Sequence, residues 1–377
     1  MLDGTTRDER LDRAVPHVAR GRCTGHRRML PDRAGHHCGS APGMAVGLTH
    51  PAPRLRAGVV LALLGIMTAC GGSDSSEEAV VNEASPAMTS AVPDIQASNA
   101  FYYYRDVEAA HRFYTDVLGF ETVSDFGFAK ILRIAETSYL TLVDEQNGQH
   151  SADEPKSVTL AVVTEQVEGW YDWLTSQDVP MRAELRVEEG RAHDGFVAID
   201  PEGYLLEFER FNPHEENVDL MPALSARPTV ATAGGGRPVE LEVQATVFWL
   251  YYADIPAAQA FYETLLDVPL MVDQGWAKVY PVSTTGYIGL VDGERGLHQA
   301  TEEKAVTLSF LTTDVQSWLD RTREQGVSLR NDELGDESGR VATFVGFDPE
   351  GYYLEWDTFL DVEGNERLLE LLAQANR

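Results

Sequence analysis

The sequence predicts an α+β fold in which a single unit is written twice. Three observations carry this reading. First, the chain repeats itself at a constant offset of 148 positions. Tyr103 and Tyr104 meet Tyr251 and Tyr252, Phe113 and Tyr114 meet Phe261 and Tyr262, and Trp170 meets Trp318. Second, each copy runs through a β-rich stretch, a helical stretch and several strand-like stretches, and then does so again. Third, each copy closes on nearly the same phrase, DPEGYLLEFE at 200–209 and DPEGYYLEWD at 348–357.

The elements follow in order. Residues 99–104, NAFYYY, form a β-rich run. The stretch 106–119 comes next, with Asp106 as its N-cap and Gly119 as its stop. Ala109, Ala110, Phe113, Tyr114, Val117 and Leu118 fall on one helical face. Strands are expected at 120–125, 128–134 and 138–144. A second round starts at 157–163 and continues with a helix over about 165–177 that groups Val167, Trp170, Tyr171 and Leu174. Strands near 181–187, 194–199 and 204–210 complete it. Copy two repeats this order, so each copy is β-α-β-β-β taken twice. The copies span 94–226 and 242–377, and 227–241 reads as a flexible linker. Within DPEGY, proline presets one turn position and glycine supplies a positive φ.

The formal net charge of −30 argues against a nucleic-acid partner, because phosphates would be repelled. Ten of the basic residues and only five of the acidic ones lie within 1–69. The three cysteines, Cys23, Cys38 and Cys70, are also early, so the duplicated part carries no disulfide framework and no cysteine-rich zinc site. Residues 1–43 are rich in Arg and His without apolar periodicity and read as a non-native or disordered extension, with Met44 as the expected start. Residues 44–69 combine Arg54 and Arg56 with an apolar run at 58–67, too short to span a bilayer but suited to a signal peptide. The ending Met67-Thr68-Ala69-Cys70 resembles a bacterial lipoprotein box, except that Met67 stands where leucine is usual. The resemblance implies lipid on Cys70 and a polar tether over 70–93. Gly71 differs from the aspartate that retains such proteins at the inner membrane. The expected location is therefore the bacterial cell envelope, on the outer membrane facing the periplasm.

The phrase Asp106…Phe113-Tyr114…Leu118-Gly119-Phe120, followed by Asp200-Pro201-Glu202-Gly203-Tyr204-Leu205-Leu206-Glu207, resembles the vicinal oxygen chelate superfamily. That superfamily includes glyoxalase I, extradiol dioxygenases and the bleomycin and fosfomycin resistance proteins. The resemblance covers about 95–360 and implies paired βαβββ modules whose curved sheet forms a cup. In metal-using members a His lies seven residues before the helix-opening Asp, a second His opens the next module, and a Glu closes the last strand. Here those positions hold Asn99 and Val247, then Ser157 or Thr159 and Ala305 or Thr307, and finally Glu207 and Glu355. The stretches 138–142 and 286–290 contain no internal acid. A lone carboxylate does not hold a divalent ion against water, so no metal or other cofactor is expected.

Period-2 logic selects the residues that share the old ligand face. These are Asn99, Phe101, Tyr103 and Arg105 in copy one, and Val247, Trp249, Tyr251 and Ala253 in copy two. Leu205 pairs in parity with Glu207, and Tyr353 with Glu355. Lys130 and Lys278 recur and are candidate anion or acid–base groups, whereas the recurring His150 and His298 read as loop-bracing residues. The expected function is metal-independent binding of a small organic molecule in aromatic cups. The alternative is a metal-dependent glyoxalase-like lyase or isomerase, or a dioxygenase, with the ion at Glu207 or Glu355. A third reading is a structural envelope protein whose cups are filled by its own side chains.

Overall fold

A computed structural model describes residues 91–375. The expected extension, the signal peptide and nearly all of the tether lie outside the described residues. Among those described, no helix is long and apolar enough to cross a membrane.

Four modules follow one another. The first contains β1 (Ala97–Tyr104), α1 (Val107–Arg112), β2 (Glu121–Asp125), β3 (Ala129–Ala135) and β4 (Ser138–Asp144). The second contains β5 (Val158–Val163), α2 (Val167–Ser176), β6 (Met181–Arg186), β7 (His193–Ile199) and β8 (Leu205–Phe211), with α3 (Leu220–Ser225) after it. The third contains β9 (Ala245–Tyr252), α4 (Ile255–Leu266), β10 (Val272–Asp273), β11 (Ala277–Pro281) and β12 (Gly286–Asp292). The fourth contains β13 (Val306–Leu311), α5 (Val315–Glu324), β14 (Ser328–Leu329), β15 (Gly335–Glu337), β16 (Val341–Phe347) and β17 (Tyr353–Phe359), followed by α6 (Glu366–Ala375).

The α+β class and the duplication hold, and the caps work as the residues suggest. Asp106 accepts from the Ala109 amide at 2.8 Å and Asp254 from the Ala257 amide at 3.0 Å. The helix begun by α1 widens into a π turn over Phe113–Val117 and stops at Gly119, φ +67°. In copy two Asp267 takes the same left-handed position at φ +52°.

The copies do not close on themselves. One sheet runs β14-β16-β17-β13-β1-β4-β3-β2, with β15 on β16, and the other runs β10-β11-β12-β9-β5-β8-β7-β6. The first module therefore joins the fourth through antiparallel β1 and β13, and the second joins the third through β5 and β9. Reading each copy as its own cup is corrected here: each cup takes half its strands from each copy. We call the cup of the first sheet cup A and that of the second cup B. At their junction Thr137 and its repeat partner Thr285 exchange amide-to-hydroxyl hydrogen bonds of 2.8 and 2.9 Å.

Ala100, Tyr102 and Tyr104 on one face of β1 belong to a core shared with Trp170 of α2, Tyr262 of α4 and Trp318 of α5. The other face opens into the cup. One end of cup A is covered by Leu368, Leu371 and Leu372 of α6, packed on Ala97, Ile131 and Leu311. Leu220 and Leu224 of α3 do the same in cup B, on Val163, Ala245 and Val247.

The DPEGY turns interlock the sheets. Asp200 accepts from the Glu202 and Tyr204 amides at 2.9 and 2.8 Å and from the Tyr104 and Tyr114 hydroxyls at 2.7 and 3.1 Å. Tyr204, at the start of the strand closing cup B, accepts from the Tyr103 amide at 2.8 Å and donates to the Ala305 carbonyl at 2.7 Å, both on the cup A side. Tyr352 reciprocates, accepting from the Tyr251 amide at 2.8 Å and donating to the Ser157 carbonyl at 2.7 Å. The phrase recurs because each closing strand must be tied to the other sheet.

The linker, read as flexible, is packed. The Gly236 amide donates to the Asp116 carbonyl at 2.8 Å, and buried Arg237 donates to the Leu118 carbonyl at 3.0 Å while stacking over Trp170. A guanidinium among the last carbonyls of a helix meets their partial negative charge.

Candidate functional site

Cup A encloses a cavity of about 120 Å³. Its walls are apolar: Phe101, Tyr103, Phe126, Phe128, Ile131 and Phe359. Its floor is polar. The Asn99 amide and the Thr141 hydroxyl hydrogen-bond at 3.0 Å, and the hydroxyls of Tyr103 and Thr307 do so at 2.7 Å. On β17, Glu355 and Asp357 face the cavity together. Ser309 Oγ donates to Asp357 Oδ2 at 2.6 Å, and Gln149 Nε2 donates to Glu355 Oε2 at 2.9 Å. Arg330 in turn donates to the Gln149 side-chain oxygen. The Thr343 hydroxyl flanks both acids, although its own geometry falls short of a hydrogen bond. Burial pushes both carboxyls upward, and for Glu355 the charge of Asp357 adds to the effect.

Cup B encloses about 220 Å³. Trp249, Tyr251, Trp276 and Phe211 wall it, Glu207 and Glu209 face it from β8, and His193, Gln274 and Arg295 also line it. The Tyr251 and Thr159 hydroxyls hydrogen-bond at 2.8 Å, mirroring Tyr103 and Thr307. Val247 and Gly289 replace Asn99 and Thr141. The Trp249 ring lies over Gly289, where any Cβ would overlap it. Burial raises the Glu207 carboxyl to about 7, and pushes Glu209 well above the usual carboxyl range with help from the Glu207 charge.

The expected site residues divide accordingly. Phe101, Tyr103 and Glu355 line cup A, Asn99 stays buried off the cavity and hydrogen-bonds to the lining Thr141, and Glu207, Trp249 and Tyr251 line cup B. The expected association of Asn99 with Glu207 within copy one is corrected by the strand pairing, because those residues lie in different sheets. Tyr353 packs on His150, ring centroids 4.3 Å apart, beside Tyr103. Lys130 and Lys278 do not line the cups. Their neighbours Ala129, Ile131, Ala277 and Val279 do, and strand alternation turns the lysines the other way. Lys130 pairs with Asp125 at 2.9 Å and Glu108 at 3.1 Å, and Lys278 with Asp273 at 2.7 Å. Arg105 is drawn outward to Glu202 and Asp153. His150 donates to or accepts from Glu154 at 2.7 Å, a bracing role. The residues missed in the sequence are the second acids, Glu209 and Asp357, and the donors around them. The acids were within reach of parity, two positions beyond Glu207 and Glu355.

Neither cup fits the divalent-ion site that the sequence resemblance implies. Asn99, Val247, Ser309 and Ala161 supply no imidazole, and the acids sit two apart on one strand rather than across the cup. Among the described residues no three His, Cys, Asp or Glu side chains converge to hold an ion.

Residues 88–208 match the model of the Glyoxalase/Bleomycin resistance protein/Dioxygenase superfamily. No curated protein matches the chain. A solved structure of a proposed dioxygenase from Bacillus subtilis is 14% identical over 71% of this chain and 86% of that one, with a TM-score of 0.51. Glyoxalase I from Zea mays is 15% identical over 74% of this chain and 95% of its own, with a TM-score of 0.48. A glyoxalase/bleomycin resistance protein/dioxygenase from Nocardioides is 20% identical over 33% of this chain, with a TM-score of 0.29. At such identities the likeness is one of fold.

Proposed function

We propose that this chain, which matches the glyoxalase/bleomycin resistance/dioxygenase superfamily over its first copy and repeats that unit in its second, binds a small organic molecule in its cups without a divalent ion. The observation that supports this most is the floor of cup A. There the acids Glu355 and Asp357 are met by neutral donors, Gln149 and Ser309, beneath an aromatic wall. Apolar walls with a few oriented polar groups suit an organic ligand.

The test is metal analysis of the full-length protein refolded with zinc, nickel, manganese or iron, alongside tryptophan-fluorescence titration with small aromatic compounds. Saturable quenching that survives chelator, with well under one metal per chain, is the expected result. One metal per cup, lost on Glu355→Ala or Glu207→Ala, would instead favour the glyoxalase-like lyase or dioxygenase reading.

The same proposal places the protein on the cell envelope through lipid on Cys70. A lipid-anchored chain enters the detergent phase on Triton X-114 partition. Cys70→Ser is expected to move it to the aqueous phase and abolish labelling by tritiated palmitate. An unchanged partition would remove the anchor from the proposal.

A further inference from the structure

The two cups keep the same acid pair but treat it differently. At the constant offset, Glu207 and Glu209 correspond to Glu355 and Asp357. In cup A the acids have Gln149, Ser309 and Thr343 around them. In cup B the same three positions are Leu297, Ala161 and Gly195. The two hydrogen-bonding neighbours, Gln149 and Ser309, and the flanking Thr343 have all been replaced by apolar residues, while both acids remain. Among the described residues, only burial and their mutual charge act on Glu207 and Glu209. Glu209 is 2% exposed, and its Oε1 has no partner. Trp249, 9% exposed, carries an Nε1 that also lacks one. Buried polar groups are rarely left unpaired in a finished protein, so a donor for Glu209 Oε1 is to be sought outside the chain; Trp249 Nε1, a donor itself, is not met by the same group.

The surroundings define what that partner is. Burial holds the pair toward its neutral form, and each carboxyl that ionises accepts without donating, so it calls for N–H or O–H donors. A positive donor, unlike a neutral one, would also offset the burial that opposes ionisation. Trp249, Tyr251, Trp276 and Phe211 offer ring faces, which attract cations as well as apolar groups. The lining's own cation, Arg295, lies 5.2 Å from the Trp276 ring centroid and forms no ion pair with either acid. Its stacking shows that this wall accepts a guanidinium. His193, the other basic group in the lining, is pushed toward its neutral form chiefly by burial.

We propose that cup B binds an organic cation, an ammonium whose N–H groups meet Glu207 and Glu209 while its apolar body lies against Trp249, Tyr251 and Trp276. The proposal rests on the reading of the cups as ligand sites and adds the charge class for one of them. It also makes the cups non-equivalent: in cup A one oxygen of each acid is met by a donor of the chain, Gln149 or Ser309, leaving Asp357 Oδ1 unpartnered, whereas among the described residues no side-chain donor meets either acid of cup B.

The experiment is tryptophan-fluorescence titration of the full-length protein at neutral pH with three probes of similar shape: 2-phenylethylamine, 2-phenylethanol and phenylacetate. The amine is expected to bind about tenfold more tightly than the alcohol, the size of a charged hydrogen bond, with the anion weakest. Glu209→Gln should abolish that preference, and Glu207→Gln, less buried, provides the same readout if the first variant fails to fold. An independent variant restores the cup A neighbours: Ala161→Ser with Leu297→Gln should weaken amine binding several-fold by giving the acids internal partners. Equal binding of amine and alcohol would overturn the inference while leaving organic-ligand binding intact. An amine preference unaffected by either glutamine variant would also overturn it. Binding of none of the three probes, together with silence toward the wider aromatic panel, would overturn both the inference and the reading beneath it.

Discussion

Replacing Asp200 by alanine is expected to cost about 3–5 kcal/mol of unfolding free energy, the range for breaking a buried polar network. The carboxylate is 5% exposed and accepts from two backbone amides and two tyrosine hydroxyls. Alanine would leave the two amides and the Tyr114 hydroxyl without their acceptor, each costing about 1–3 kcal/mol with partial relief from relaxation, while the Tyr104 hydroxyl keeps the Tyr114 oxygen 3.2 Å away as an acceptor. The damage spreads beyond the turn, because Tyr204 ties cup B's closing strand to Tyr103 and Ala305. Asp348→Ala should behave alike, since Tyr252 and Tyr262 reproduce the network at 2.7 and 3.3 Å. The measurement is the urea midpoint at constant m-value. A loss under about 1 kcal/mol in both variants would mean that the turns are held by the chain around them and not by the aspartates.

The second large effect is an unusual pH dependence. Burial raises Glu207 from 4.5 to about 7 and pushes Glu209 well up from its usual value. A carboxyl raised in the folded state stabilises fully below its unfolded pKa. That contribution is lost as pH climbs through the folded pKa, here from about 4.5 to about 7 for Glu207. The expected loss between pH 5 and pH 8 is about 2–3 kcal/mol, allowing for the partial exposure of Glu207. The opposing charges are few: Arg295 and His193 in the lining of cup B. Cup A should add to the same slope, with Glu337 adding to the rise of both Glu355 and Asp357. The double variant Glu207→Gln, Glu209→Gln should flatten the curve relative to the parent, read from thermal midpoints across that range. Parallel curves would show that water or a counter-ion already reaches the pair. A bound ammonium should also flatten the parent's curve, by holding the acids ionised.

Much of the fold was legible because its signals are local. Apolar periodicity, the Asp106 and Asp254 caps, the Gly119 stop and the Pro–Gly turn each act within a few residues. Their boundaries agree with the structure to within a few residues, apart from the π turn at Phe113–Val117. The site was less legible. Phe101, Tyr103, Trp249, Tyr251, Glu207 and Glu355 could be chosen by parity, because parity is also local. Lys130 and Lys278 were chosen only because they recur, and strand alternation places them outside the cups. Gln149, Ser309 and Thr343 carry no sequence signal of a role, since their meaning depends on acids as many as 206 positions away.

The sequence by itself determined that one α+β unit is written twice, where each strand and helix lies, and that imidazole is missing from the expected ligand positions. Only the tertiary structure decided which halves share a cup. Strand partnership is a non-local choice, and β1 carries the same alternation whether it pairs with β5 or β13. What selects β13 is the sum of many contacts across the chain, the Tyr204 and Tyr352 hydroxyls among them. That choice puts Glu207 with Trp249 and Glu355 with Asn99, and gives side-chain donors, Gln149 and Ser309, to one acid pair only among the described residues.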